Sequence, residues 1–175
     1  KENEFNDGFA EIIKHACIAS PELFKKLEKS LISYESRDLL SEILKESISI
    51  KLNIVSKDIN DLTLRKILNF GHTFGHAIEA KYNFSHGNSV SLGMIYACQI
   101  SNKLGYLSDE KVNRVKNLLN KFGLPVDVSK INVSEILHLI QKDKKAKYNN
   151  IDFIVLRDIG RAEILNIKIS DLIHA

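Results

Sequence analysis

The stretch Arg65-Lys66-Ile67-Leu68-Asn69-Phe70-Gly71-His72-Thr73-Phe74-Gly75-His76-Ala77-Ile78-Glu79 constrains this chain more than any other. Read as one helix, it places Arg65, Asn69, His72 and His76 at i, i+4, i+7 and i+11, on a single face. A helix built only to pack would carry Leu or Val on that stripe. Here a guanidinium, an amide and two imidazoles take it, with Leu64, Ile67, Leu68 and Ile78 giving apolar surface to either side. Gly71 and Gly75 each cost a helix roughly 1 kcal/mol relative to Ala. A cost of that size points to close approach at the backbone, by a ligand or by another helix.

Only two prolines and eight glycines interrupt the 175 residues, so helical periodicity governs most of the remainder. Phe9, Ile12, Ile13, Ala16 and Cys17 recur at helical spacing in a helix from about Asp7, its N-cap, to Ile18. Glu11, Lys14 and His15 take the polar side, with Glu11 and Lys14 neighbours at i, i+3. Ser20 and Pro21 read as N-cap and first residue of a short helix through about Lys29. A long amphipathic segment, about Ser36 to Val55, carries Leu39, Leu40, Ile43, Leu44 and Ile48, with Lys51 near its end. The run Tyr82 to Gly87 breaks the pattern. Ser89-Val90-Ser91 then opens a largely buried helix to about Leu104, capped by Asn88 or Ser89. Ser108 to Phe122, closed by Gly123 and Pro125, and Asn132 to Lys142 are further amphipathic helices. Ile151 to Leu156 and Ala162 to Leu165 are β-like runs around an Asp158-Ile159-Gly160 turn, and Ser170 to His174 forms a last short helix. The expected fold is mainly α, a multi-helix domain with a small β-hairpin near the C-terminus.

This length fits one domain, and 44% hydrophobic with 27% charged residues is ordinary for a globular protein. The net charge of +3 comes with lysines spread along the chain, which argues against nucleic acid or an acidic membrane as partner. No run nears the roughly 20 apolar residues that span a bilayer. Lys1-Glu2-Asn3-Glu4 is no signal-peptide core, and the missing initiator Met fits a fragment or a processed chain. Cys17 and Cys98 lie in apolar helical contexts and read as buried free thiols, which places the chain in a reducing cytosol.

The pattern Arg65-x-x-Leu68-Asn69-Phe70-Gly71-His72-Thr73-x-Gly75-His76-Ala77-Ile78-Glu79 resembles the signature of the dehydroquinate synthases, shikimate-pathway enzymes that make 3-dehydroquinate. Gly8-Phe9-Ala10-Glu11-Ile12-Ile13-Lys14 and His86-Gly87-Asn88-Ser89-Val90-Ser91-Leu92-Gly93-Met94 resemble that family's flanking motifs in order and spacing. The resemblance runs from Lys1 nearly to Ala175 and covers only the C-terminal half of such an enzyme. Before the signature, Asp58 and Asp61 keep the family's acids, while Ile59 and Thr63 replace a glutamate and a glycine. Asn88 stands where the family usually has Glu. These departures bear on the shape of the loop and on the charge beside His86.

By spacing alone, the i, i+4 pair His72 and His76 suits one metal bound by both. The resemblance divides them: His72 joins Glu11 and His86 as metal ligands, and His76 contacts substrate. That set suits Zn²⁺, or another divalent ion such as Co²⁺, with an open position for substrate oxygens. The family's substrate, 3-deoxy-D-arabino-heptulosonate 7-phosphate, carries a carboxylate and a phosphate. The resemblance implies that Lys14, Lys51, Arg65, Asn69, His76 and one or both of Lys144 and Lys145 surround those anions. Lys14, Arg65, Asn69 and His76 form the implied catalytic set. The implied reaction is transient oxidation by NAD⁺, phosphate elimination, hydride return and ring closure. No strand, Gly-rich loop and helix follow one another here as a dinucleotide fingerprint. NAD⁺ is therefore expected mainly on an N-terminal Rossmann-like domain outside this chain, leaving the chain inactive alone. A cytoplasmic homodimer is implied for the full-length form. A sibling sugar-phosphate cyclase, the C-terminal half of a metal-dependent alcohol or glycerol dehydrogenase, and a non-catalytic helical interaction domain are the alternatives. His15, His138 and His174 match no family site and read as ordinary histidines.

Overall fold

The computed structural model describes residues 2–30, 36–59, 63–143 and 150–172. The elements run α1 (Glu2–Ala19), α2 (Pro21–Lys29), α3 (Arg37–Lys57), a 3-10 turn (Leu64–Asn69), α4 (His72–Tyr82) and α5 (His86–Lys103). After them come α6 (Asp109–Lys121), α7 (Val133–Asp143), β1 (Asn150–Asp158), β2 (Arg161–Lys168) and a 3-10 turn at Ile169–Leu172. The expected mainly α fold with a C-terminal hairpin is what the chain adopts.

The core gathers around α5, whose buried run from Ser89 to Cys98 leaves it no solvent side. α4, α1, α6 and β1 all pack on it. Its approach to α4 is backbone on backbone. A Cβ at Gly93 would lie 1.9 Å from the Gly71 carbonyl oxygen, and one at Gly71 would lie 2.6 Å from Met94 Cγ. Of the two causes suggested for the signature glycines, a neighbouring helix is therefore the one present. Ser101, fully buried on α5, donates to Ala97 O at 2.6 Å and accepts from Leu156 N at 3.0 Å, which fixes β1 against that helix. The hairpin is antiparallel, pairing Asn150 with Lys168 through to Asp158 with Arg161. Its turn docks on α1, where Gly160 N–H donates to Cys17 O at 2.8 Å. Cys17 and Cys98 are buried free thiols, as read from their contexts.

Local capping chemistry explains several boundaries. Ser20 Oγ accepts from Leu23 N–H at 3.1 Å ahead of Pro21, and Ser108 Oγ accepts from Lys111 N–H at 3.4 Å. Four expectations need correction. α1 starts well before Asp7, which is interior to it and accepts a hydrogen bond from Ser85 Oγ at 2.7 Å. Lys14 and His15 do not face solvent, each being 4% exposed. α5 begins at His86, capped by Ser85 rather than by Asn88 or Ser89. The signature is not one helix. Asp58 accepts from Thr63 N–H at 2.7 Å and Arg65 N–H at 3.0 Å, starting a tight 3-10 turn. Gly71 at φ +79° then ends it and α4 starts afresh. Of the expected last helix only the Ile169–Leu172 turn is described, and His174 lies outside the described residues.

Candidate metal centre and cleft

His72 and His86 are each the first residue of a helix, α4 and α5, and the two side chains meet Glu11 of α1. Glu11 Oε1 lies 3.4 Å from His72 Nε2 and 3.7 Å from His86 Nε2. Each ring's other nitrogen is engaged. His72 Nδ1 is 3.2 Å from the Phe70 carbonyl oxygen, to which it must donate, so the lone pair is left on Nε2. His86 Nδ1 is 3.1 Å from Glu79 Oε2, a carboxylate–imidazole contact of the kind that orients metal-bound histidines.

Glu11 Oε1, His72 Nε2 and His86 Nε2 thus converge on one point. Glu11 Oε1 is buried and has no hydrogen-bond partner among the described residues. Donor atoms bound at about 2.1 Å to one tetrahedral ion sit roughly 3.4 Å apart, close to the 3.4 and 3.7 Å that separate Glu11 Oε1 from the two imidazoles. Among the described residues these three form a group whose ligand atoms all lie within 4.8 Å of one another. Glu/His/His with an open side is a donor set for Zn²⁺ or a similar divalent ion. The residues fit a metal.

Burial and neighbouring charge keep His72 and Glu11 in ligating form. Burial, then the Lys14 ammonium, hold the His72 pKa down at about 4, so the imidazole is neutral at ordinary pH. Burial alone would raise Glu11, but Lys14, bonded to Glu11 Oε2 at 2.6 Å, outweighs it with the help of His72 and His15, and the carboxyl stays below its usual range. Lys14 itself is lowered by burial, against the pull of Glu11. His15 is also held near 4, by burial and then by Lys14, and bridges to α3 through Ser47 Oγ at 2.8 Å.

Beside the trio lies an open cleft of about 1180 Å³ between α4, α7 and the hairpin. Asn69, His72 and His76 line it. His76 is exposed, with its ring centre 5.3 Å from that of His72 and 6.4 Å from that of His86, and it stands outside the trio. Lys51 is exposed on α3, near enough for its charge to act on Lys14 and His15. Arg65 Nη1 donates to Ile59 O at 3.3 Å, away from the cleft lining. Lys144 and Lys145 lie outside the described residues. Two groups escaped the sequence reading. Lys66 lines the cleft, paired with Asp152 at 2.6 Å across 86 positions of sequence, a contact no local pattern signals. Glu79, on His86, closes the signature, but its partner lies beyond a helix break.

The fold is shared with two solved synthases. One is 2-epi-5-epi-valiolone synthase from Streptomyces hygroscopicus subsp. jinggangensis with NAD⁺ and Zn²⁺ bound, at TM-score 0.85 and 22% identity over 99% of this chain and 50% of that one. The other is 2-deoxy-scyllo-inosose synthase complexed with carbaglucose-6-phosphate, NAD⁺ and Co²⁺, at TM-score 0.79 and 25% identity over 99% and 51%. Residues 8–146 match the family described as 3-dehydroquinate synthase C-terminal, and the chain belongs to that family. Curated relatives named 3-dehydroquinate synthase include those of Thermoanaerobacter pseudethanolicus, 40% identical over 97% of this chain, and Dictyoglomus turgidum, 42% identical over 98%. The chain spans about half the length of these relatives, 49% and 50%. Among the described residues no helix is long and apolar enough to cross a membrane.

Proposed function

We propose that this chain supplies the metal-holding and much of the substrate-holding surface of a 3-dehydroquinate synthase, and that it does not turn over without an N-terminal, nucleotide-binding half. The observation that carries the reading is the buried Glu11 Oε1, without a hydrogen-bond partner among the described residues, facing Nε2 of His72 and Nε2 of His86 inside the matched segment. Glu11, His72 and His86 would hold a divalent ion, which supplies Lewis acidity toward substrate oxygens when bound, while NAD⁺ on the other half supplies a hydride acceptor.

The chain's own residues bind and orient the substrate. Lys14, buried and anchored on Glu11, presents a fixed ammonium beside the trio. Asn69 and His76 offer hydrogen bonds from the cleft wall, and Lys51 and Arg65 bring cations from the α3 side. Anions of a sugar acid phosphate are matched by several fixed donors at once, which sets the reacting carbons relative to the trio. Lys144 and Lys145 belong to the same proposed set. We assign no general base. The named relatives favour 3-dehydroquinate as product, and the two structural neighbours motivate a sibling cyclase as the second reading.

The test joins this chain behind the N-terminal half of the Thermoanaerobacter pseudethanolicus relative and assays 3-dehydroquinate and phosphate formed from 3-deoxy-D-arabino-heptulosonate 7-phosphate. Zinc-dependent turnover by the joined protein and none by the chain alone is expected. Turnover by the chain alone, or by the joined protein only on another sugar phosphate, overturns the reading.

A further inference from the structure

Seven large apolar side chains are exposed among the described residues, and five of them fall between positions 44 and 64. They are Leu44, Ile48, Leu52, Ile59 and Leu64, exposed by 40 to 75%. The first three recur every fourth residue on α3. Only Ile43, Ser47 and Ile54 of that helix are buried, so the core covers roughly half of its apolar arc.

The substrate-directed cations follow this stripe. At about 100° per residue, Lys51 projects from the same 60° sector as Leu44, Ile48 and Val55. Arg65 directly follows Leu64. Neither lines the cleft that holds Asn69 and His76. The expected anion donors therefore stand on two sides, one of them without a facing wall among the described residues.

We propose that the outer face of α3, continued by Ile59 and Leu64, seats the N-terminal half that the longer relatives carry. The proposal rests on the reading of this chain as one half of such an enzyme. The relatives are about twice as long, and the matched family is by description C-terminal, so they contain a companion body of similar size. Halves of one chain meet over roughly 600–1,500 Å², an area that needs an apolar centre such as this stripe. Charge disfavours a second copy as occupant. A two-fold contact centred on α3 would set Lys45 and Lys51 of one copy against the same lysines of the other.

Thiol labelling reads the face directly, because burial pushes the native Cys17 and Cys98 thiols far up and keeps them unreactive. Ile48→Cys and, as a control on another exposed apolar site, Leu104→Cys are made in the chain and in the chain joined behind the Thermoanaerobacter pseudethanolicus N-terminal half. Labelling of Ile48→Cys slows by at least about tenfold in the joined protein, as for a thiol packed in an interface, while Leu104→Cys is unchanged. Protection without 3-dehydroquinate formation supports the docking face and removes the functional reading instead. Equal labelling of Ile48→Cys in both proteins overturns the proposal, with or without turnover. Protection already present in the isolated chain, lost on dilution and matched by a dimer mass in light scattering, gives the face to a second copy and also overturns it.

Discussion

Replacing Gly93 by Ala puts a methyl group where α4 and α5 touch, and its consequence reaches the candidate metal centre. The added Cβ would sit 1.9 Å from Gly71 O and 2.8 Å from Gly75 N, whereas ordinary contact begins near 3.4 Å. Both obstacles are backbone, so a helix has to move by about 1.5 Å, the difference between 1.9 Å and ordinary contact at 3.4 Å. Overpacking of this kind costs about 3 kcal/mol at the top of its range. The helix propensity of Ala over Gly returns roughly 1 kcal/mol, leaving a net loss of about 2 kcal/mol. The same shift parts His72 on α4 from His86 on α5. Metal sites tolerate about 0.2 Å, so zinc affinity falls by at least about a hundredfold, the upper range for losing even an outer partner. Urea unfolding in chelator reads the first effect, and competition with a chromophoric chelator reads the second. Gly8→Ala is the control: its Cβ meets nothing within 4 Å, and it should stabilise α1 by roughly 1 kcal/mol with zinc binding unchanged. A Gly93→Ala chain with the parent's urea midpoint and zinc affinity would refute the claim that this glycine contact positions the ligands.

Glu79→Gln keeps the shape beside His86 Nδ1 but removes the charge, and zinc affinity should drop about 10- to 100-fold without loss of fold, as read by the same competition. Asp58→Ala strips the acceptor from the Thr63 and Arg65 amides, and the urea midpoint should fall by about 1–2 kcal/mol equivalent, with Asp58→Asn losing less. The zinc-free chain should also weaken in mild acid. His15 takes up a proton near pH 6.5 when unfolded but near 4 when folded, so its contribution is whole above 6.5 and is lost as pH falls toward 4. That loss is roughly 3 kcal/mol. Chelator-treated His15→Gln should show a flatter stability profile between those pH values, and an unchanged profile would remove His15 as its source.

Helices with their own caps were legible. Ser20-Pro21 and Ser108 name their starts in local chemistry, and the hairpin is announced by β-branched runs around Gly160. The signature reads as one helix because its polar residues keep a 3.6-residue rhythm straight across a break. Gly71 at φ +79° and the Asp58 carboxylate, neither visible in that rhythm, divide it. Polarity alone puts Lys14 and His15 in water, whereas inside the fold Lys14 bonds Glu11 and His15 Nδ1 bonds Ser47. Spacing alone would have paired His72 with His76. It could not show that Ser85 starts a second helix so that His86, not His76, turns its free nitrogen toward Glu11. That grouping comes from the resemblance, and the structure brings its three ligand atoms within 4.8 Å of one another.

The most direct test is elemental analysis of the purified chain beside Glu11→Ala, His72→Ala, His86→Ala and His76→Ala. The account predicts about one equivalent of zinc in the parent and in His76→Ala, and loss from the other three. Zinc retained by Glu11→Ala and lost from His76→Ala would show instead that the metal sits on the two histidines of α4, and would contradict the site described here.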